Sequence, residues 1–152
     1  MRIALYQPDI AGNVGTLLRL GACMGVAIDL IEPMGFAWSE RALARAGMDY
    51  AALVDVTRHA DWDAFLASTR GRIVLGTTTG AIPLPRARFL ADDVLLLGSE
   101  GAGVPGDVHA RADLRVRVPM RDGLRSLNVA VAGAILLGEA MRQTGLWDDL
   151  TD

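Results

Sequence analysis

Short runs of aliphatic residues, each followed by a helical pattern or a polar loop, restrict the fold of this chain more than any other sequence feature. Candidate strands lie at Arg2–Tyr6, Ala27–Ile31, Ala52–Val56, Arg72–Gly76, Val94–Leu97 and Leu114–Val118. Several of these runs are continuously Val, Ile and Leu, which is typical of strands covered on both faces. Helical patterns lie between them at Val14–Met24, Glu40–Ala46, Trp62–Ser68 and Pro105–Ala110. The alternation predicts an α/β fold: a mostly parallel sheet with helices on both faces. The Gly- and Pro-containing stretch Thr77–Asp93 is predicted to be a surface loop.

The last helical pattern, Leu127–Gln143, is apolar on almost every side until Glu139. Such a helix is expected to be buried all round. In a chain this short, a C-terminal helix is buried in this way only if it is threaded through the fold or covered by a second subunit. Gly133 and Gly138 each cost about 1 kcal/mol of helix propensity relative to Ala, and they fit positions where another backbone comes close. The pattern therefore predicts a homodimer with this helix at the interface.

The residue composition excludes several kinds of chemistry. All fifteen basic residues are Arg and the chain has no Lys, which excludes a Walker A phosphate loop and a lysine-bound pyridoxal cofactor. One Cys and two His are too few for a Cys-rich zinc site or a disulfide framework, so no metal is expected. The net charge of −3 does not fit a bulk cationic nucleic-acid binder, although a local group of arginines would still hold phosphates.

The length of 152 residues predicts a single domain that spans residues 1–152. The N-terminal apolar run ends at Tyr6, which is too early for a secretory signal. The longest mostly apolar stretch, Val129–Leu137, is far shorter than the ~20 residues that cross a bilayer. We therefore expect a cytoplasmic protein with no membrane partner.

Three polar or glycine-rich segments follow predicted strands, at the sheet edge where α/β proteins bind ligands. The first, Tyr6–Gly15, contains Asn13 and leads into a helix that carries Arg19. Its glycine spacing is not that of a dinucleotide-binding loop. Asn13 also fits the N-cap of the helix, and Arg19 also fits a solvated helix position, so the functional and structural interpretations both stay open.

The second segment, Leu97–Pro105, has three glycines within six residues. Glycines at this density let the backbone approach a ligand closely, but a simple tight turn explains them equally well. Glu100 lies at the centre of the segment. A carboxylate at this edge disfavours phosphate and fits a cationic or hydroxyl-bearing ligand.

The third segment, Val118–Asn128, carries Ser126 and Asn128 at the start of the last helical pattern. Ser126 fits a helix N-cap. A buried Asn128 amide would need hydrogen-bond partners that an apolar helix does not supply, which makes it a candidate functional residue. We interpret three further chemistry-bearing residues as structural, His59, His109 and Cys23, since neither histidine has a carboxylate and a nucleophile at a recognisable spacing.

Taken together, the segments resemble the SPOUT methyltransferases, and within that class they are most similar to the TrmL (YibK) group. The resemblance covers nearly the whole chain, and the run Ile31–Trp38, IEPMGFAW, is specific to this group. The other shared motifs are Leu5-Tyr6-x-Pro8-x-Ile10, Asn13-x-Gly15 with Arg19, Arg45-Ala46-Gly47-x-Asp49-Tyr50, Val56-Thr57-Arg58-His59, Gly98-x-Glu100-x-x-Gly103, Val118-Pro119-Met120 and Arg125-Ser126-x-Asn128.

The resemblance implies a C-terminal trefoil knot and a homodimer that uses S-adenosylmethionine to methylate RNA. The implied product is the 2′-O-methylated ribose of the tRNA wobble nucleotide, a cytidine or modified uridine in leucine tRNAs. Carried over by position, the cofactor-binding residues are Gly76, Thr77, Gly98, Glu100, Gly103, Val118, Met120 and Ser126. The implied catalytic residues are Arg19, Asn13, Glu100, Ser126 and Asn128. Because a guanidinium stays protonated at neutral pH, we assign Arg19 an orienting or phosphate-assisted role before that of a simple base.

The chain departs from the TrmL pattern at Val14, at Ser99 and at Val129–Val131. The group commonly has Thr and Pro at the first two positions, and Ser with a second Asn in the last segment. That last segment is more similar to the wider SpoU group. The alternatives are therefore a SpoU-type 2′-O-methyltransferase for another tRNA or rRNA site, or a catalytically silent RNA-binding module. The complete set of polar residues argues against the silent module, and the late position of the glycine-rich loop argues against a Rossmann nucleotide binder.

Overall fold

The computed structural model describes residues 1–39 and 50–150, and its centre is a sheet of seven strands. The strands are β1 Arg2–Tyr6, β2 Ala27–Ile31, β3 Val56–His59, β4 Ile73–Gly76, β5 Ile82–Pro83, β6 Val94–Leu97 and β7 Leu114–Arg117. Their order across the sheet is β3-β2-β1-β6-β4-β7-β5. All pairings between these strands are parallel, which confirms the predicted sheet.

In the described part of the chain four helices cover the sheet: α1 Ala11–Met24, α2 Trp62–Ser68, α3 Gly106–Arg111 and α4 Val129–Thr144. Alternate residues of β6 divide the core in two, because successive side chains of a strand point to opposite faces. Leu95 packs in one cluster with α1 and α4, and Leu96 packs in the other with α2 and α3. The prediction of helices on both faces is therefore confirmed. The predicted helix Glu40–Ala46 lies outside the described residues.

The strand order determines where ligands can bind. The neighbours β1, β6, β4 and β7 run in the same direction, so the loops that follow them meet at one edge of the sheet. The residues of β6 are all buried, which fixes this central strand and the position of the glycine-rich loop after it.

The predicted strand Ala52–Val56 is wrong in position. Residues Ala51–Leu53 form a 3₁₀ turn in which Leu53 is 71% exposed, and the strand itself is Val56–His59. The error has a physical reason, because β3 is the edge of the sheet and edge strands carry polar side chains. Arg58 of β3 is exposed and pairs with Glu32 at 2.6 Å.

The segment Thr77–Asp93 is not the plain surface loop that its composition predicts. It contains β5, a 3₁₀ turn, and the buried side chains of Leu84 and Phe89. Gln143 of α4 holds this segment, because its amide accepts from the Phe89 N–H at 3.1 Å and donates to the Ala87 carbonyl at 3.1 Å. The buried side chains of Leu84, Ala87 and Phe89 attach this segment to the core.

Helix α4 differs from its prediction at its start and on its outer side. It begins at Val129 rather than Leu127, and within this chain Val131 and Ile135 are 48% and 38% exposed. The helix is therefore not buried all round by its own chain. A Cβ at Gly133 would lie 2.7 Å from a methyl group of Leu97, so the close neighbour is a side chain, and a Cβ at Gly138 would meet no atom within 4 Å. The trefoil knot stays a prediction.

Candidate active site

A cleft of about 770 Å³ lies at the carboxyl ends of β4, β6 and β7. Its size is that of a small-molecule site. All eight residues assigned to the cofactor line it: Gly76, Thr77, Gly98, Glu100, Gly103, Val118, Met120 and Ser126. Asn13 and Asn128 line it as well. The structure therefore brings together all three segments that the sequence singled out.

The glycine-rich loop after β6 forms one wall of the cleft from backbone. Ser99 and Gly103 exchange two backbone hydrogen bonds of 2.9 Å, which close a tight turn. Gly103 has a φ of +68°, in the region that favours glycine. A Cβ at Gly98 would lie 2.6 Å from the carbonyl carbon of Gly103. Any larger residue at position 98 would therefore force this wall to move.

Buried aliphatic side chains form the floor of the cleft. Leu75, Leu97, Val116 and Leu136 line it, and each is at most 2% exposed. At Gly76 a Cβ would lie only 2.7 Å from a methyl group of Leu136. The floor is apolar and the walls are polar backbone, an arrangement that fits a flat aromatic ligand with polar substituents.

Glu100 connects the glycine-rich loop to the segment after β1. One carboxylate oxygen accepts from the backbone N–H of Asp9 at 2.8 Å, and the other accepts from the side-chain amide of Asn13 at 2.8 Å. The Asp9 carboxylate in turn accepts from the Gly101 N–H at 3.3 Å. These bonds hold the two loops against each other and fix the Glu100 carboxylate at the edge of the cleft.

Asn13 and Asn128 extend this connection to the third segment. The Asn128 amide nitrogen donates to the Asn13 amide oxygen at 2.9 Å. The Asn128 oxygen accepts from the backbone N–H groups of Ala130 and Val131, so Asn128 is the N-cap of α4. The resulting chain Glu100–Asn13–Asn128 is directional, because each amide uses its nitrogen toward one neighbour and its oxygen toward the other.

Two expectations about helix caps and one about burial need correction. Asn13 is not the N-cap of α1, because the helix already begins at Ala11 and Asn13 lies in its first turn. Ser126 does not cap α4, since that position belongs to Asn128. Asn128 is exposed within this chain rather than buried. The Ser126 hydroxyl has no hydrogen-bond partner among the described residues, which leaves it available to a ligand in the cleft.

Arg19 does not line the cleft of its own chain. Six residues separate it from Asn13, and at 3.6 residues per turn this spacing places the two side chains on different sides of α1. Arg19 is exposed, and its guanidinium lies 4.8 Å from the centre of the Tyr50 ring. The structure therefore groups Asn13, Glu100, Ser126 and Asn128, and it places Arg19 apart from them.

Three polar side chains of the cleft were missed by sequence reasoning: Thr78, Thr79 and His109. Thr78 and Thr79 come one and two residues after Thr77, which follows the end of β4, so their position after a buried strand was the signal that could have found them. His109 was interpreted as structural, yet its side chain lines the cleft. The same interpretation is confirmed for His59, which is buried and lies 2.8 Å from the Asp29 carboxylate.

A smaller cleft of about 240 Å³ lies next to the first one, in the segment after β7. Three arginines line it, Arg117, Arg121 and Arg125, and all three are exposed. Asp122 is the acidic residue among them. This concentration of positive charge in a chain of net charge −3 favours a polyanion beside the main cleft.

One titratable group close to this edge of the sheet has a shifted pKa. Burial raises the pKa of the Tyr6 phenol at the end of β1, and the negative charge of Asp107 adds to the effect. Within residues 1–39 and 50–150, no group of three or more His, Cys, Asp or Glu side chains is placed to hold a metal ion. None of the helices in these ranges has the length and apolar character to cross a membrane.

The model of the SpoU rRNA Methylase family matches residues 1–138. The chain belongs to this family. A SpoU relative from Beijerinckia indica, named tRNA (cytidine(34)-2′-O)-methyltransferase, is 53% identical over 146 residues, which are 94% of this chain and 91% of the relative.

Two solved structures share the fold of this SpoU protein. A structure described as giving insights into the 2-OH methylation of C/U34 on tRNA superposes with a TM-score of 0.88 and 40% identity, covering 93% of this chain and 94% of that one. An AdoMet-bound rRNA methyltransferase from Sinorhizobium meliloti superposes with a TM-score of 0.82 and 27% identity, covering 93% of this chain and 55% of that one.

Proposed function

We propose that this SpoU protein transfers a methyl group from S-adenosylmethionine to the 2′-hydroxyl of the ribose at the wobble nucleotide of tRNA. The observation that carries the proposal is the Glu100–Asn13–Asn128 chain at the mouth of a glycine-walled cleft. The names of full-length relatives support the choice of nucleotide 34 and of tRNA as substrate. With tRNA as its substrate, the enzyme acts in the cytoplasm.

The cleft fits S-adenosylmethionine in three respects. Its volume of about 770 Å³ is sufficient, and its apolar floor suits an adenine ring. The Gly98 turn leaves no room for a side chain, so backbone groups face the ligand. The Glu100 carboxylate supplies negative charge at the edge, where a cationic ligand is favoured. When bound, the donor supplies a methyl group already activated by the sulfonium charge.

The residues at the mouth of the cleft then orient the ribose. A 2′-hydroxyl is a weak nucleophile, so the protein must hold its oxygen in line with the methyl group and help to remove the proton. Glu100 keeps acceptor capacity after receiving the Asp9 and Asn13 donors, since a carboxylate accepts up to about four hydrogen bonds. Ser126, with its unpartnered hydroxyl, is the second group that can contact the ribose.

We further propose that the enzyme is a homodimer. The outer side of α4 and the residues next to it expose Val131, Ile135, Leu127 and Trp147, which are between 38% and 48% exposed. Large apolar side chains grouped in this way are typical of an interface. Arg19 lies on α1, which packs beside α4 on the same face of the sheet. We propose that in the dimer Arg19 serves the cleft of the second copy.

Methylation of defined RNAs tests this function. The purified protein is incubated with labelled S-adenosylmethionine and a full-length tRNA, and digestion with mass spectrometry locates the methyl group. We expect label at ribose 34, and no label when nucleotide 34 is a 2′-deoxynucleotide. Label at another tRNA position or only on rRNA would support the SpoU-type alternative, and binding of tRNA without transfer would support the silent module.

Variants of Arg19 test its orienting role in the same assay. Arg19→Ala is expected to keep the affinity for S-adenosylmethionine and to lower the transfer rate by about 10²–10⁴. Arg19→Lys is also expected to fail, because an ammonium does not reproduce the planar fork of a guanidinium. Transfer by Arg19→Ala at nearly the normal rate would remove Arg19 from the mechanism and leave Asn13, Glu100 and Ser126.

A further inference from the structure

His109 connects two walls of the cleft. The sequence pattern assigns it no catalytic or binding role. It lies in α3, the helix that follows the glycine-rich wall. Its Nε2 atom is 3.1 Å from the backbone oxygen of Thr79, which belongs to the wall after β4. Its Nδ1 atom is 3.2 Å from Nε of Arg115, on β7. The imidazole thus bridges α3, the Thr77–Thr79 wall and β7.

The chemistry of the partners fixes the tautomer of the ring. A guanidinium has only donors, so Nδ1 of His109 can only accept from Arg115, whose single Nε hydrogen is shared between Nδ1 and the His109 backbone oxygen. The ring hydrogen of the neutral imidazole then lies on Nε2, where it can donate to the Thr79 carbonyl. Arg115 is itself held by the end of α3, because it donates to the backbone oxygens of His109 at 2.9 Å and Ala110 at 3.2 Å. The contacts of Arg115 therefore orient the His109 ring so that its Nε2–H group faces the Thr79 carbonyl.

The Thr77–Thr79 wall has few other attachments. The Thr77 N–H donates to the Val116 carbonyl at 2.9 Å, and the Thr79 N–H donates to the Thr77 hydroxyl at 3.2 Å. Gly80, with a φ of +57°, then turns the chain away. The second of these bonds is internal to the wall. Among the described residues, the His109 bond is thus the one that links the far end of this wall to another element.

We propose that His109 is a positioning residue for the methyl donor, which acts by holding the Thr77–Thr79 wall at its distance from the glycine-rich wall. The proposal rests on the proposed function, since it takes S-adenosylmethionine as the ligand of this cleft. It predicts that loss of the Nε2 donor weakens donor binding and leaves the handling of tRNA unchanged.

Two amide substitutions separate this role from a structural one. In His109→Gln the amide nitrogen is as many bonds from the backbone as Nε2, so the Gln side chain can still donate to Thr79. In His109→Asn the amide oxygen corresponds to Nδ1, so the Arg115 contact is kept and the reach to Thr79 is lost. His109→Leu removes both contacts.

Calorimetry with S-adenosylmethionine and hydrogen exchange of the ligand-free protein provide the test. We expect the Kd to rise about tenfold in His109→Asn and His109→Leu and to stay within about twofold in His109→Gln. Amides in residues 77–80 should exchange faster in the Asn variant than in the Gln variant, with KM for tRNA unchanged in both. A normal Kd in His109→Asn, or equal losses in the Gln and Asn variants, would overturn the role of His109 alone. Failure of the unmodified protein to bind S-adenosylmethionine would overturn the proposed function together with it.

Discussion

The side-chain amide of Asn13 donates to the Glu100 carboxylate across 2.8 Å, joining the segment after β1 to the segment after β6. These strands are neighbours in the sheet, although 87 positions separate the two residues in the chain. The bond holds Glu100 in one orientation before any ligand enters. Pre-orientation of this kind lowers the cost of aligning a reacting group.

Replacing Asn13 with an aspartate tests this bond directly. Asn13→Asp sets two carboxylates against each other where a donor and an acceptor now meet, so they repel or one must take up a proton. We expect methyl transfer to fall about 100-fold or more, with helix content unchanged. Thr16→Ala, on the exposed side of the same helix, is the control and should transfer normally. Equal rates for both variants would contradict the role of Asn13.

The tight turn at Gly98 predicts that adding one methyl group to this residue weakens the binding of S-adenosylmethionine. In Gly98→Ala the new Cβ would lie 2.6–2.8 Å from three backbone atoms of Gly103, so the wall must shift. We expect the affinity for S-adenosylmethionine, measured by calorimetry, to fall at least about tenfold. Gly12→Ala is the matched control, because a Cβ there has no neighbour within 4 Å. Unchanged affinity in Gly98→Ala would place the donor elsewhere.

The exposed apolar side of α4 predicts a dimer, and a charged residue introduced on that side should disrupt it. Light scattering should show two copies at micromolar concentration for the unmodified protein and one copy for Ile135→Arg, since an unpaired charge is costly in an apolar interface. Leu53→Arg, at an exposed position in the turn before the edge strand β3, should remain dimeric. A monomeric unmodified protein would contradict the proposed interface and the placement of Arg19 in a second cleft.

The ion pair between Arg72 and Asp93 predicts a large effect on stability. The Asp93 side chain is fully buried, and Arg72 donates to both of its oxygens at 2.8–2.9 Å. Arg72→Met leaves that carboxylate buried without a counter-charge, so we expect the free energy of unfolding to fall by roughly 3–5 kcal/mol. Arg142→Met, which breaks the exposed pair with Glu139, should change it far less. Similar denaturation midpoints for the two variants would contradict this difference in burial.

Glu139 predicts how the stability of α4 depends on pH. Hydrogen bonds from Arg142 and then Gln143 lower the pKa of Glu139 from 4.5 to about 2. Because the folded-state pKa is depressed, the stabilisation is present above the unfolded pKa and is lost as the pH falls toward 2. Thermal unfolding of Glu139→Gln should therefore show a lower Tm than the unmodified protein at pH 7, and the difference should shrink as the pH falls below 4.5 and vanish only below about 2. A constant difference across this range would exclude the ionised carboxylate as its cause.

Much of the fold was predictable because strands that are buried on both faces consist of continuous aliphatic residues. Val94–Leu97 is a continuous aliphatic run and is fully buried, and Arg2–Tyr6 was correct to the residue. The edge strand Val56–His59 was displaced because its polar residues give no apolar signal, while the adjacent Ala and Leu residues do. Which strand lies at the edge depends on the order of the strands in the whole sheet, and the local sequence pattern does not contain that information.

The meeting of the three polar segments at one cleft was predictable, but the position of Arg19 outside that cleft and the bonds between the segments were not. Asn13 and Asn128 were both singled out, but each also fitted a local role in its own helix. That Asn128 caps α4 and Asn13 does not cap α1 depends on the meeting of segments 115 positions apart. His109 was missed for a related reason, because its partners are a backbone oxygen and an arginine on the strand β7. A hydrogen bond to a backbone oxygen requires no particular residue type at the partner position, so no sequence motif indicates it.

Asn128 both caps α4 and donates to Asn13, and these two roles determine which mutations at this position the cell would tolerate. Asp is as good an N-cap as Asn, and its charge suits the start of a helix. Asn128→Asp would therefore keep α4 capped while its side chain loses the only hydrogen that reaches Asn13. The resulting protein would accumulate to normal levels and escape the quality control that removes misfolded chains. Only selection for the modified tRNA itself, and not selection for a stable fold, would then preserve the amide.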